Sequence, residues 1–383
     1  MSQFLKTAES YRHGARTLPG RYYTATEILA EEQETIFARH WISIGRAADF
    51  PRQGDYRLVD IAGESLIVLR DQSDTLRAFY NICRHRGTRL CTAAEGRLSE
   101  TVQCPYHAWT YALDGRLIGA PHMNEVEGFD KRDYPLHRAS LAEWEGFVFA
   151  SLASEPPPLA ESFAPIQERF RRFQLPRLRT VRRIVYEVRA NWKLIMQNYS
   201  ECLHCPTIHP ELSTKLPYTS GANDLVEGRF LGGYMEIKAP HQSATLTGRS
   251  CGLPLGELSE ADRGRAFYYT LFPSMMLSLH PDYAVYYTVW PVRPAESRVV
   301  CEWMVHPDSP GAPGYNIADA EEFWDRTNRQ DWDICERSQL GVASRRYAPG
   351  PYSPRESMPA AWDREYLRQV GHLTEQGPGD RSS

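Results

Sequence analysis

The chain has 383 residues, of which 24% are charged, and a formal net charge of -4. This balance excludes the broad basic surface that nucleic acid or an anionic membrane would require. The N-terminal residues lack the apolar core of a signal peptide, and no run approaches the roughly 18 apolar residues of a membrane span. We therefore expect a cytoplasmic protein with neither nucleic acid nor a membrane as partner, whose 8 cysteines are free thiols or metal ligands rather than disulfides.

The length predicts two domains, and the proline-rich stretch at 154–165 is the predicted linker between them. Residues 1–40 are predicted to form a helical segment that packs on the second domain. Residues 41–153 contain short alternating runs typical of a small all-β domain. Residues 166–383 predict an α+β domain with an antiparallel sheet, and the tail after about residue 373 is predicted to be loose.

Apolar periodicity predicts the main elements of the second domain, because it is about two residues in strands and 3.6 in helices. In chain order the predicted elements are a strand at 182–190, a helix at 192–204, a hairpin with strands at 283–290 and 298–306, and an amphipathic helix at 320–341.

Two short stretches of the first domain each pair one cysteine with one histidine. Cys83 and His85 lie in "NICRHRGTRL", and Cys104 and His107 lie in "QCPYHAW". Four such ligands suit either tetrahedral zinc or a [2Fe-2S] cluster in which two histidines replace two cysteines on one iron. The glycine and proline of these stretches fit tight turns, whose backbone N–H groups can donate to bridging sulfides. The ligand pattern favours the cluster, with a structural zinc site as the alternative.

A second candidate site lies in "NWKLIMQNYSECLHCPTIHPEL", residues 191–212. Glu201 and His204 are three apart, which predicts that they share one helical face. Pro206 is predicted to end that helix, so that His209 enters from the following turn. Two histidines and one carboxylate form the facial triad of non-haem Fe(II) oxygenases. The spacing of the two histidines is a weak signal by itself, and the neighbouring cluster motif strengthens it.

Three residues could supply the carboxylate of this triad: Glu201, Asp331 and Asp333. Helical periodicity places Asp331 on the same side as Trp324 and Cys335, whereas Asp333 shares its side with arginines. A buried carboxylate is costly unless it is paired or bound to a metal. We therefore predict Asp331 as the third ligand and Asp333 as a solvated charge.

With the further motifs "NWK", "QNYSECLHC" and "QDWDICERSQLGV", the chain resembles the α subunit of a Rieske non-haem iron oxygenase along nearly its whole length. The resemblance implies an α+β fold, in which a small all-β Rieske [2Fe-2S] domain precedes a helix-grip-like catalytic domain with an antiparallel sheet. The implied ligands are Cys83, His85, Cys104 and His107 for the cluster and His204, His209 and Asp331 for the mononuclear Fe(II).

The resemblance also implies a head-to-tail homotrimer, in which the cluster of one subunit supplies electrons to the iron of its neighbour. Glu201 would join His204 to the partner subunit's His107. Ring-hydroxylating members usually have Asp at this position. Glu201 in "ECLHC" is more similar to the members that oxidise quaternary ammonium compounds such as glycine betaine, proline betaine or carnitine.

The predicted function is that of an oxygenase component, with O2-dependent hydroxylation that leads to N-demethylation of a betaine-like quaternary ammonium compound. Aromatic ring dihydroxylation is the alternative within the family. An electron-transfer Rieske protein without oxygenase activity is the alternative from another class. No GxGxxG dinucleotide motif is present, so a separate flavin or ferredoxin reductase is expected to oxidise NAD(P)H.

Aromatic residues of the second domain fit either a cation–π cage or a pocket for an aromatic ring, so they do not decide the substrate. They are Phe267, Tyr268, Tyr269, Tyr283, Tyr286, Tyr287 and Trp290.

Overall fold

The computed structural model describes residues 3–373, and the chain folds as two compact units. The smaller unit comprises Phe37–Gln167, and the larger unit combines the residues up to Ile36 with those from Glu168 onward. The N-terminal segment thus belongs to the same unit as the second half of the chain. The tail after residue 373 lies outside the described residues.

Short strands and a few longer helices make up the regular structure of residues 3–373. The strands are β1 (Leu5–Lys6), β2 (Ile42–Arg46), β3 (Asp55–Ile61), β4 (Glu64–Arg70), β5 (Leu76–Tyr80), β6 (Glu95–Arg97), β7 (Thr101–Gln103), β8 (Thr110–Ala112), β9 (Leu117–Gly119), β10 (Arg138–Trp144), β11 (Phe147–Ser151), β12 (Arg179–Val188), β13 (Ala222–Leu225), β14 (Phe230–Glu236), β15 (Arg265–Leu271), β16 (Met275–Leu279), β17 (Tyr283–Arg293) and β18 (Glu296–Val305). The α-helices are α1 (Arg21–Thr24), α2 (Thr26–Glu32), α3 (Leu159–Ser162), α4 (Trp192–Tyr199), α5 (Cys205–Ile208), α6 (Pro210–Lys215), α7 (Glu260–Arg263), α8 (Ile317–Val342) and α9 (Ser357–Gln369). None of these helices combines the length and the apolarity needed to cross a membrane.

The smaller unit contains two antiparallel sheets, one of seven strands in the order β2-β11-β10-β5-β4-β3-β6 and one of three strands in the order β7-β8-β9. Side chains from both sheets share one buried cluster, which includes Ile67 of β4, Phe79 of β5 and Tyr111 of β8. Cys83 and Cys104 belong to the same cluster. The cysteine of each Cys/His turn is therefore part of the buried core of the smaller unit.

The proline-rich stretch at 154–165 is packed onto the smaller unit rather than extended as a free linker. The indole N–H of Trp41 donates to the carbonyl of Pro157 at 2.9 Å. The ring of Phe163 is buried and packs edge-on against Trp144 and Phe149, with centroids 5.3 and 4.9 Å away. Residues 154–158 lie outside helices and strands, and α3 follows them directly. Burial of apolar side chains such as Phe163 stabilises this packing.

The larger unit is built on one antiparallel sheet of eight strands, in the order β1-β13-β14-β15-β16-β17-β18-β12. The predicted hairpin is present as β17 and β18, which pair from Tyr283 opposite Val305 to Arg293 opposite Glu296. The predicted amphipathic helix is present as α8, whose buried residues include Phe323, Trp324 and Cys335.

The helix predicted at 192–204 is wrong in its C-terminal part, because α4 ends at Tyr199. The hydroxyl of Ser200 donates to the carbonyl of Met196 at 2.6 Å, a local bond that competes with helix continuation. Pro206 does not end a helix but lies in the first turn of α5. Backbone N–H groups in a first turn have no helical acceptor, so proline is tolerated there. Glu201 and His204 therefore lie in a turn between two helices.

A buried charge network fixes the start of α4. The ammonium of Lys193 donates to a carboxylate oxygen of Glu32 at 2.5 Å, and both side chains are 0% exposed. The other carboxylate oxygen accepts the indole N–H of Trp192 at 2.8 Å, and the hydroxyl of Tyr366 donates to the first at 2.6 Å. Burial lowers the pKa of Lys193, against the opposing attraction of Glu32. The "NWK" motif thus anchors the helix that leads into the second candidate site.

Replacing Glu32 with Ala should destabilise the larger unit by about 3–5 kcal/mol, because it leaves the Lys193 charge buried without its partner. The midpoint of urea unfolding, followed by tryptophan fluorescence, measures the effect. Asp333→Ala is the matched control, since it breaks the exposed pair of Asp333 with Arg337 (2.8 Å) and should cost less than about 1 kcal/mol. Equal effects of the two substitutions would contradict the role of the network.

Candidate functional site

The two Cys/His turns of the smaller unit have the same backbone arrangement. In each turn the cysteine N–H donates to the carbonyl five residues later, at 2.8 Å for both Cys83 and Cys104. The residue four positions after each cysteine donates back to the cysteine carbonyl, at 2.9 Å from Gly87 and 3.1 Å from Ala108. Both of these residues adopt positive φ, +74° for Gly87 and +56° for Ala108. The turns can therefore present equivalent ligands to one shared centre.

The thiols of this centre lie inside the protein and the imidazoles lie toward its surface. Cys83 and Cys104 are each 3% exposed, whereas His85 is exposed and His107 is partly exposed. The two imidazole rings lie edge to face with centroids 4.8 Å apart. The indole of Trp109 stacks on His85 at 4.9 Å. One centre thus has a buried sulfur side and an accessible nitrogen side.

Tyr111 lies beside the sulfur side of the centre. Its hydroxyl is 3.4 Å from the Cys83 Sγ and accepts the backbone N–H of Arg84 at 2.9 Å. Burial raises the pKa of the Cys83 thiol, the Tyr111 hydroxyl lowers it, and the neighbouring Cys104 thiol raises it. Two close, buried thiols ionise together when a bound metal balances their charge, so these residues fit a metal centre. Sequence reasoning missed Tyr111, although it lies two residues beyond the "CPYHAW" motif.

The second candidate centre lies in the larger unit and brings together His204, His209 and Asp331, whose ligand atoms all lie within 4.8 Å of one another. The Nε2 atoms of His204 and His209 are 3.3 and 2.8 Å from the same Asp331 oxygen. The imidazole rings are 5.1 Å apart and inclined by 77°. Three donors therefore converge on one point from different directions.

The outward nitrogens of these histidines each have a side-chain partner. The Nδ1 of His204 lies 2.6 Å from Glu201, and the Nδ1 of His209 lies 2.7 Å from the amide oxygen of Gln330. Each oxygen can accept an N–H from Nδ1, which leaves the Nε2 lone pair free to bind a metal. Sequence reasoning missed Gln330, whose only signal is its position directly before Asp331.

The two aspartates of α8 lie in different surroundings. The Asp331 side chain is 16% exposed and contacts both histidines. The Asp333 side chain is 61% exposed and pairs with Arg337 one helical turn later. The helical periodicity of the sequence was sufficient to predict this difference between Asp331 and Asp333.

The charges of the second centre fit a bound cation. Burial raises the pKa of Asp331, but hydrogen bonds from His204 and His209 outweigh it and leave the pKa lowered. Burial lowers the pKa of His204, but the carboxylates of Asp331 and Glu201 outweigh it and raise the pKa to about 10. Two carboxylates thus favour positive charge at this point, and two imidazoles with one carboxylate suit Fe(II) with open coordination positions.

Comparison with known families bears on both centres. Residues 175–372 match the catalytic domain of the ring hydroxylating alpha subunit, and residues 40–130 match the Rieske [2Fe-2S] domain. The chain belongs to the Rieske-type ring-hydroxylating oxygenase α subunits. The match to a catalytic domain excludes an electron-transfer protein that has a Rieske domain alone.

Individual relatives extend this likeness over most of the chain. The glycine betaine monooxygenase oxygenase subunit of Chromohalobacter salexigens is 32% identical over 374 residues, which cover 89% of this chain and 83% of that protein. The crystal structure of the quaternary ammonium Rieske monooxygenase CntA in complex with L-carnitine has a TM-score of 0.75 at 24% identity, over 94% of this chain and 96% of that one. Naphthalene 1,2-dioxygenase from Rhodococcus sp., bound to indole, has a TM-score of 0.74 at 19% identity, over 92% and 94%.

These matches confirm the predicted α+β fold, with a Rieske domain and a catalytic domain. They also confirm the prediction of an oxidoreductase that carries a [2Fe-2S] cluster and a mononuclear iron. As an oxygenase subunit, the protein receives its electrons from a separate reductase, so NAD(P)H is used indirectly.

The turn that carries His204 contains a disulfide, between Cys202 and Cys205. The expectation of free thiols is therefore wrong for this pair. The other 6 cysteines are free. The Cα atoms of the two cysteines are 4.9 Å apart in the segment that follows α4. The Sγ of Cys205 lies 3.8 Å from the Nε2 of His204, so the disulfide lies beside the second candidate centre.

The residues of the second candidate centre line a cavity of about 130 Å3. Its volume is close to that of an engineered cavity of about 150 Å3 that holds one benzene molecule, so it suits a small substrate. Among the seven aromatic residues named from the sequence, Tyr268 is the one that lines the cavity within residues 3–373. The other aromatic residues on the lining are Tyr199, Tyr218, Tyr234 and Trp324, and none of them was predicted to contact substrate. Tyr199 comes from the end of α4 and Trp324 from α8, and both pack against Tyr268.

The three rings form a continuous aromatic wall. Tyr268 lies edge to face with Tyr199 and with Trp324, at centroid distances of 6.2 and 6.3 Å. The Tyr199 hydroxyl lies 2.7 Å from the Ser278 hydroxyl, and the Trp324 N–H donates to Tyr283 at 2.7 Å. Because the polar atoms of Tyr199 and Trp324 are bonded elsewhere, these residues offer their ring surfaces to a ligand.

Proposed function

We propose that this oxygenase hydroxylates an N-methyl carbon of a betaine-like quaternary ammonium compound. The hydroxylated product collapses, so that formaldehyde leaves and the demethylated amine remains. The observation that carries this proposal is the aromatic wall of Tyr199, Tyr268 and Trp324 in the same cavity as the His204, His209 and Asp331 centre. The glycine betaine specificity of the Chromohalobacter salexigens relative supports the same substrate class.

The aromatic wall suits an ammonium group because aromatic faces attract cations by about 0.5–2 kcal/mol each. The acidic residues on the cavity lining are Glu201 and Asp331, and both carboxylates are bonded to His204. Since neither carboxylate is available to a substrate cation, the rings are the groups left to hold a quaternary ammonium.

For the smaller unit we propose that Cys83 and Cys104 bind one iron of the [2Fe-2S] cluster and that His85 and His107 bind the other. The buried thiols and the accessible imidazoles support this assignment, since histidine ligation raises the potential of the iron at which electrons leave. The Tyr111 hydroxyl near the Cys83 sulfur stabilises negative charge there.

For the larger unit we propose that His204, His209 and Asp331 hold the mononuclear iron. When bound, this iron activates O2 for insertion of one oxygen atom into a C–H bond. Glu201 and Gln330 orient the two imidazoles through Nδ1. The buried position of His209, 1% exposed, keeps bulk water from that side of the centre.

We further propose a cytoplasmic, head-to-tail homotrimer in which Glu201 joins His204 to the partner subunit's His107. One half of this bridge is the 2.6 Å contact between Glu201 and the His204 Nδ1. Leu203 beside it is 37% exposed, and Tyr106 next to His107 is 57% exposed. Exposed apolar side chains at both ends of the expected electron path support a subunit contact there.

The test is O2 uptake and formaldehyde release over a panel of betaines and aromatic acids, with a surrogate reductase and NADH. We expect formaldehyde to appear in step with O2 uptake for at least one quaternary ammonium compound, because cation–π contacts position its methyl group. His209→Ala protein, which lacks one proposed iron ligand, is the control for uncoupled O2 consumption. Uptake coupled to cis-diol formation, with no formaldehyde from any methylammonium compound, would refute the proposal and favour ring dihydroxylation.

A further inference from the structure

One charged residue on the cavity lining has no place in the iron centre. Among the described residues, the acidic and basic side chains that line the cavity are Glu201, His204, His209, Asp331 and Arg355. The first four belong to the iron centre. Arg355 lies in the short 3-10 turn Pro354–Glu356, and within residues 3–373 its guanidinium pairs with no carboxylate. Arg355 is exposed and contributes to the cavity lining, so its unpaired positive charge is available to a ligand of the cavity.

The turn that carries Arg355 is held firmly against the rest of the cavity wall. The carboxylate of Glu356 accepts the backbone N–H of Ser353 at 2.8 Å, and the Ser353 hydroxyl accepts the N–H of Arg355 at 3.2 Å. The following Ser357 donates its hydroxyl to the carbonyl of Thr7 at 2.7 Å. Thr7 also lines the cavity. These bonds fix the backbone from which the guanidinium reaches the cavity.

Arg355 and the three rings of the aromatic wall reach the lining from different elements. The rings come from α4, β15 and α8, whereas Arg355 precedes α9 and adjoins the N-terminal segment at Thr7. Within residues 3–373, Arg355 makes no cation–π contact with Tyr199, Tyr268 or Trp324. The cavity lining thus combines aromatic rings suited to a cation with an unpaired cation suited to an anion.

We propose that Arg355 binds the carboxylate of a zwitterionic substrate whose quaternary ammonium group lies against the aromatic wall. This inference rests on the proposed function and adds a specificity residue to it. A guanidinium forms two parallel charge-assisted hydrogen bonds with a carboxylate, which fixes both position and orientation. A cation without a carboxylate, such as choline, leaves Arg355 unpaired and is repelled by it. Arg355 therefore selects betaines over simple quaternary amines.

The experiment compares glycine betaine with choline, which carries a hydroxymethyl group in place of the carboxylate, in wild-type holoenzyme and in Arg355→Gln. We expect KM for glycine betaine to rise about 10-fold to 100-fold in Arg355→Gln, because a hydrogen-bonded charge is lost. The kcat of the variant should stay within about two-fold of the wild-type value. KM for choline should stay the same or fall. Arg355→Lys should be intermediate, because it keeps the charge and loses the fork geometry.

Arg346→Gln is the matched control, since Arg346 is also exposed but lies off the cavity lining. It should bind and oxidise both compounds as the wild type does. The Rieske absorption spectrum and the iron content verify that each variant is folded and loaded. Wild-type turnover of glycine betaine with an unchanged KM in Arg355→Gln would overturn this inference and leave the proposed function standing. Absence of formaldehyde from every quaternary ammonium compound in the wild type would overturn both.

Discussion

Replacing Asp331 with Ala should remove the mononuclear iron and abolish substrate oxidation, while the visible spectrum of the [2Fe-2S] cluster stays unchanged. The Asp331 carboxylate is within 3.3 Å of both imidazole Nε2 atoms, and two neutral histidines alone bind Fe(II) weakly. The cluster should persist because its proposed ligands lie in the smaller unit, so the two sites load independently. Iron and sulfide analysis measures the metal content, visible absorbance measures the cluster, and O2 uptake measures substrate oxidation.

Asp333→Ala is the control for this substitution, since it removes the same group two residues later on the exposed side of α8. It should retain iron content and activity within experimental scatter. The reverse result, with full iron and activity in Asp331→Ala and loss of both in Asp333→Ala, would show that helical periodicity selected the wrong carboxylate.

Periodic elements were the part of the fold that the sequence predicted well. The apolar pattern at 320–341 predicted α8 and the side on which Asp331 lies, because one face of a long helix must be buried. The hairpin of β17 and β18 followed from two long apolar runs with a short polar turn between them. In both cases a local pattern determines the structure.

The end of α4 was predicted wrongly because two side chains decide it. The Ser200 hydroxyl bonds back to the Met196 carbonyl, and a carboxylate oxygen of Glu201 accepts the backbone N–H of Leu203. These bonds replace the helical ones that the apolar pattern alone would favour. Glu201 still reaches His204, but through a turn rather than along a helical face.

The groups around the iron centre depended on contacts between distant segments, which no local pattern specifies. Trp324 and Tyr199 meet Tyr268 only because α8, α4 and β15 pack in one unit. Arg355 reaches the cavity through a turn bonded to Thr7, 350 residues away from Ser357 in the chain. The proposed ligands could be predicted because cysteine, histidine and aspartate carry a chemical signal in their spacing, which binding residues of ordinary type lack.

Replacing Glu201 with Gln should leave the cluster spectrum, the mononuclear iron and substrate binding intact, but lower turnover about 100-fold. A carboxylate that binds the outward nitrogen of a ligand histidine fixes the ring, and such partners typically contribute about 10-fold to 100-fold. Here the 2.6 Å contact to His204 is also the proposed entry point for the electron from the neighbouring subunit, so the neutral amide impairs transfer. Single turnover of pre-reduced protein with substrate and O2, followed by cluster absorbance, measures the rate of that step.

Two further variants separate electron transfer from structure. Glu201→Asp should be partly active, because it keeps the charge and shortens the reach by one methylene. Glu211→Gln is the matched control, since Glu211 lies off the cavity lining and forms ion pairs with Lys215 and Arg326. It should reoxidise its cluster at the wild-type rate. If Glu201→Gln reoxidised its cluster at the wild-type rate, Glu201 would not be on the electron path. If Glu201→Gln protein lost its mononuclear iron, Glu201 would support metal binding instead. Slow cluster reoxidation with full iron content is the result that an electron bridge at Glu201 predicts.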